Sequence, residues 1–142
     1  MSIYKSILIA VDISRQAEDV IKRAMSVASE GARFQLLHVV EPVIAESDMN
    51  LTPTISIEVE QAMIERAENF LKQLISDCSL SNVSSQVLLG GVKQSIHQIA
   101  EDMQADLVVI GSHGRHGLGL LMGSTANAVL HGAGCDVLAV RV

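Results

Sequence analysis

Short apolar runs alternate with longer amphipathic segments along the whole chain. Ser6-Ile7-Leu8-Ile9-Ala10-Val11, Leu36-Leu37-His38-Val39-Val40 and Asp106-Leu107-Val108-Val109-Ile110 are nearly uninterrupted, as expected for strands covered on both faces. They place strands at 3–11, 33–40 and 106–110. Val83, Val87 and Leu89 mark a further strand at 83–89, and 136–142 reads as a fifth. Between these runs the period changes to that of a helix. Ala17, Val20, Ile21, Ala24, Val27 and Ala28 share one face of a helix over 15–30, with Ser14 as its cap and Gly31 at its end. Val59, Met63, Ala67, Phe70, Leu71, Leu74 and Ile75 predict a core-facing helix over 55–78, after a polar, acidic loop from Glu41 to about Pro53. Ile96, Ile99, Ala100 and Met103 predict a short helix over 94–103, and Ala126, Ala128, Val129 and Leu130 a last one.

The order β-α-β-α-β-α-β-α-β, with room for right-handed crossovers, predicts an α/β fold. The expected architecture is a single doubly wound five-stranded parallel sheet with helices on both faces. Ligands of such sheets sit beyond the carboxyl ends of the strands, where the strand order reverses. Asp12, Val39 to Glu41, Gly90-Gly91 and Gly111 to Gly114 all fall at those ends and should meet in one crevice.

One segment concentrates the candidate chemistry. Gly111, Gly114, Gly117, Gly119 and Gly123 are five of the ten glycines, and they link a strand to the helix that opens at Ser124-Thr125. A strand, a glycine-rich loop and a helix N-terminus together make an anion cradle, because unpaired N–H groups and the positive helix end face the loop. A tight turn alone gives the same bare pattern. The loop is not a Walker A motif, since no lysine precedes Ser124 or Thr125, and it lacks the Gly-x-Gly-x-x-Gly dinucleotide fingerprint.

Composition narrows the classes. At 142 residues the chain is expected to form one domain, 1–142. A hydrophobic share of 49% with 2% aromatic residues means an aliphatic core. The net charge of −6, with no basic block longer than Lys22-Arg23, disfavours nucleic acid. No apolar run approaches the ~18 residues of a membrane helix, so no membrane partner is expected. The first residues enter a strand without a signal-peptide layout, which makes a cytoplasmic protein the expectation. Cys78 and Cys135 fit reduced, buried thiols.

Ile7 through Ser14, Leu37-His38-Val39-Val40, Gly111-Ser112-His113-Gly114-Arg115 through Gly123-Ser124, and Cys135 through Val140 together resemble the universal stress protein family over essentially the whole chain. The resemblance implies an adenine nucleotide α-hydrolase-like, Rossmann-like fold. Its nucleotide-binding branch carries Gly-x2-Gly-x9-Gly-[Ser/Thr] and binds ATP, alone or with Mg2+. Carried over, that implies Ala10, Val11 and Asp12 beside adenine and ribose, and Val39 offering backbone groups to the adenine edge. Gly111 and Gly114 would pass under ribose and phosphates, and Gly123, Ser124 and Thr125 would hold phosphate oxygens. Eight residues, Arg115 to Met122, stand where the pattern has nine; Gly117 and Gly119 offer the left-handed conformations a shorter loop needs. Val92 stands where many relatives have proline. The family also pairs its last strands in a homodimer, which here implies an interface at 136–142 beside an unknown protein partner. A second branch of the family works without nucleotide.

Several residues keep two readings. Asp12 is a ribose or metal ligand or a helix cap, and Arg115 is a phosphate contact or a solvated loop tip. His113 and His116 lack the companions of a metal site. His38 reads as a satisfied core histidine, and Asp102 and Asp106 as solvated strand flanks. Ser112 lies beside His113 but outside any nucleophile elbow. Without a loop lysine or a catalytic carboxylate, the activity expected is binding with at most weak ATP hydrolysis.

Overall fold

The computed structural model describes residues 3–42, 57–112 and 124–142. The described elements are β1 (Tyr4–Ala10), α1 (Ala17–Val27), β2 (Ala28–Val40), α2 (Ile57–Asp77), β3 (Val83–Leu89), α3 (Val92–Asp102), β4 (Leu107–Gly111), α4 (Ser124–Leu130) and β5 (Asp136–Val140). The strands form one parallel sheet in the order β3-β2-β1-β4-β5. The chain works outward from β1 to β3, then returns through α3 to the other side of β1. The strand order therefore reverses between β1 and β4.

Alternation along the central strands divides the core into two layers. Ile7, Ile9, Leu36, Leu107 and Val109 pack with Val20, Ile21 and Ala24 of α1 and Ala67, Leu71 and Leu74 of α2. Leu8, Leu37, Val108 and Ile110 face the other way, onto Ile96 of α3 and Ala126 and Val129 of α4. Both faces of β1 and β4 are thus covered, as their unbroken apolar runs require.

The element ends depart from the sequence pattern in informative ways. Gly31 does not close α1. The helix ends at Val27, Ala28 is already extended with its N–H donating to the Met25 carbonyl, and β2 starts three residues before Gly31. Tyr4 pairs with Ala28 but Ser6 with Arg33, so β2 carries a local excess of residues, which Gly31 absorbs at φ +75°. A left-handed conformation of this kind suits glycine. Ser14 provides no side-chain cap; the capping position is Gln16, which makes none either. Val59 and Met63 of α2 are exposed rather than in the core, because burial along this helix begins only at Ala67.

Asp106 is not a solvated flank. Its carboxylate accepts the N–H groups of Lys5 at 2.8 Å and Ser6 at 3.0 Å, tying the start of β4 to the start of β1. Asp102 accepts from Gln98 Nε2 within its own helix. Both cysteines are free thiols, Cys78 buried and Cys135 half-buried, and desolvation pushes both thiols up from their ordinary value, which disfavours the nucleophilic thiolate.

Two stability outcomes follow. Ile9→Ala, at a fully buried site, should cost about 2–5 kcal/mol in urea-unfolding experiments. Asp106→Ala, which strips two backbone donors of their acceptor, should cost about 1–2 kcal/mol by the same measurement.

Candidate functional site

Reversal of the strand order separates the connections leaving β1 and β4, and a crevice opens beyond their carboxyl ends. Ala10, Val11 and Asp12 line it from β1, Leu37, His38 and Val39 from β2, and Ile110 and Gly111 from β4. Ser14, Gln16, Ala17 and Val20 enter from the first turns of α1, Val92 and Ile96 from α3, Ser124 and Thr125 from the start of α4, and Val142 from beyond β5.

Of the residues expected at a nucleotide site, Ala10, Val11, Asp12, Val39, Gly111, Ser124 and Thr125 share this one crevice. Gly114, Arg115 and Gly123, together with His113 and His116, lie outside the described residues. The sequence reading did not anticipate Gln16, Ile96 or Val142. Ile96 belongs to a helical stripe read as core, Gln16 carries no motif, and Val142 reaches the crevice only through the pairing of β4 with β5.

The lining divides by polarity. Ala10, Val39, Val92 and Ile96 give apolar walls over the buried Leu37 and Ile110. The polar groups gather at the rim: Asp12, Gln16, Ser124 and Thr125 are exposed, and Ser14 is half-buried. Asp12 is the acidic side chain among the described lining residues, and no lysine or arginine stands among them. The described residues contain no cluster of three or more His, Cys, Asp or Glu able to hold a metal ion.

Hydrogen bonds fix the frame of the crevice. The Val11 N–H donates to the Leu37 carbonyl at 3.0 Å and the Ser112 N–H to the Val140 carbonyl at 2.7 Å. His38 Nδ1 lies 2.7 Å from the Val11 carbonyl. A carbonyl can only accept, so this ring nitrogen carries the hydrogen, in accord with the satisfied histidine expected at 38. Gly111 needs no left-handed backbone. A Cβ there would meet Val142 at 3.4 Å and Val20 at 3.6 Å, ordinary contact distances, so neither backbone nor space demands glycine at this position. Ser112 Oγ, one residue further, is buried without a hydrogen-bond partner among the described residues.

No described helix is long and apolar enough to cross a membrane. The chain is 40% identical over 140 residues to universal stress protein A homolog 1 of Coxiella burnetii, a match that covers 96% of each chain. Its fold is that of MJ0577, with 26% identity and a TM-score of 0.81 over 98% of this chain and 96% of that one. A universal stress protein solved in complex with cAMP also shares the fold, at 20% identity and a TM-score of 0.63 over 98% of both chains. The model of the universal stress protein family matches residues 3–141, which takes in all five strands and every described lining residue of the crevice but Val142: the chain belongs to the universal stress protein family.

Proposed function

We propose that this protein is a cytoplasmic stress-response regulator that binds ATP in the crevice at the carboxyl edge of its sheet, and that occupancy alters its surface for a protein partner. The observation that carries this reading is the convergence of Asp12, Val39, Gly111, Ser124 and Thr125, from separate elements, on one cleft with apolar walls and a polar rim. A purine ring suits the walls formed by Ala10, Val39 and Ile96. The ribose and phosphates suit the rim, with the Asp12 carboxylate accepting from ribose hydroxyls and the Ser124 and Thr125 hydroxyls donating to phosphate oxygens. Gly114, Arg115 and Gly123 belong to the same proposal as phosphate contacts. The fold it shares with a protein solved with cAMP, itself an adenine nucleotide, is in keeping with this assignment.

Where Mg2+ accompanies the ATP, phosphate oxygens and water would supply most of its ligands, because this ion keeps most of its water and needs few protein ligands. The segment from Gly111 to Thr125 contains no lysine, the residue that cradles the β- and γ-phosphates in P-loop enzymes. The proposed activity is binding, with hydrolysis slow at most.

We also infer a homodimer through residues 136–142. β5 ends the sheet and pairs only with β4 among the described strands. The bond from the Ser112 N–H to the Val140 carbonyl turns the backbone groups of Val140, and those of Leu138 two residues earlier, toward β4. Those of Val137 and Ala139 then face the open edge, where a second copy can pair.

Titration of the purified protein with labelled ATP and Mg2+ should give saturable binding below about 1 mM, with Asp12→Ala weakening it about tenfold. Absence of saturation would end the nucleotide reading and leave a nucleotide-independent stress protein. For the dimer, Ala139→Pro removes an edge-facing N–H while sparing the bonds to β4. Sedimentation should show monomers with an unchanged circular dichroism spectrum; an intact dimer would rule out this strand as the interface.

A further inference from the structure

We propose that His38 is a positioning residue for the nucleotide crevice: its ring takes the carbonyl of Val11 and so keeps the Val39 N–H available to a ligand. The inference rests on the binding reading above but concerns a group to which that reading gives no role.

The register of the β1–β2 ladder carries the argument. In a parallel pair, a residue bonded on both sides sends its N–H to one residue of the partner strand and accepts from the residue two further on. The Val11 N–H donates to the Leu37 carbonyl, so a continued ladder would bring the Val39 N–H to the Val11 carbonyl and pair Val11 with His38. The last paired position is instead Ala10 with Leu37. The His38 ring meets the Val11 carbonyl at 2.7 Å, in place of the ladder bond.

Two consequences follow from this substitution. The carbonyl of Val11, a residue only 7% exposed, keeps a partner, which spares the cost of a buried unsatisfied acceptor. The Val39 N–H is released from the ladder at a residue that lines the crevice. Val40, the next residue, has its carbonyl engaged by the Gly90 N–H on the opposite side of β2, so the backbone of Val39 faces β1 and the cleft. The ring donates through Nδ1 whether or not Nε2 is also protonated, so the arrangement survives protonation of His38. The same bond anchors the peptide from which Asp12 projects. His38 thereby sets two features of the crevice, an edge for the base and the approach to the carboxylate.

Amide hydrogen exchange and ATP titration of the full chain, wild type and two variants, test this. In ligand-free wild type the Val39 amide should exchange readily and become protected when ATP is added. His38→Leu frees the Val11 carbonyl, so the ladder should close onto it. The Val39 amide then becomes protected without ligand, and ATP binds about tenfold more weakly. His38→Asn, whose amide nitrogen can donate from the place of Nδ1, should restore both readouts. A Val39 amide already protected in ligand-free wild type overturns the proposal. So does a His38→Leu variant with unaltered Val39 exchange and ATP affinity. Faster exchange at Val39 together with its neighbours would mark a purely structural role and overturn it as well. If the wild type fails to bind ATP at all, the nucleotide reading falls, and ligand-free exchange at Val39 still decides what His38 does.

Discussion

Burial of β1 and β4 on both faces is the constraint from which the crevice follows. Ile7, Leu8, Ile9, Leu107, Val108, Val109 and Ile110 are almost fully removed from water, and a strand buried on both sides needs helices above and below it. Right-handed crossovers then send α1 and α2 to one face and α3 and α4 to the other. Two neighbouring strands whose connections leave in opposite directions cannot have their ends covered by the same loop. The gap between those connections is the space that Asp12, Val39, Gly111 and Thr125 share.

That origin explains the chemistry of the space. Its walls come from the core itself, since Ile110 and Leu37 belong to the cluster that packs on α3 and α4, and they are apolar for that reason. Its rim consists of residues just past strand ends or at helix starts, where backbone groups lose their regular partners and short polar side chains are favoured. An apolar slot with a polar rim suits an amphiphilic guest with a flat ring at one end and charge at the other. The same construction places no lysine or arginine among the described lining residues.

Much of the fold was legible because two periods dominate the sequence. The runs at Ile7, Leu36 and Leu107, and the helical stripe from Ala17 to Ala24, each identify an element and the face it buries. Their order then fixes the sheet. What escaped was set by contacts distant in sequence. Ala28, Ser29 and Glu30 read as the last turn of a helix yet extend β2, where Tyr4 pairs with Ala28; tertiary pairing outweighs a weak local preference. Asp106 reads as a polar flank, and only its neighbourhood with Lys5 and Ser6 shows it to be an acceptor for two backbone donors. Within the site, the strand-end residues Asp12, Val39 and Gly111 could be placed from topology alone. Gln16 and Val142 could not, because neither carries a motif and both arrive through packing.

The two edges of the sheet are built differently. At the amino edge, side chains close the backbone: Asp106 on the N–H groups of Lys5 and Ser6, Arg33 on the Met103 carbonyl, and Asn82 on the carbonyls of Gly31 and Ala32, while Arg33 also donates to Ser6 Oγ and the Tyr4 hydroxyl to the Asp136 carboxylate. The hydrogen bond to Asp136 also holds the Tyr4 phenol up from its ordinary value. At the carboxyl edge the corresponding side-chain tie among the described residues is His38 on Val11, and Ser112 Oγ has no partner among the described residues. Backbone groups that are fully tied stabilise the fold and can recognise nothing; groups left untied cost stability unless a ligand meets them. Concentrating the ties at one edge lets the protein keep loose polar groups at the other without losing the sheet. The His38 bond marks where that division is drawn, satisfying the last buried carbonyl of β1 while the groups beyond it stay open to a guest.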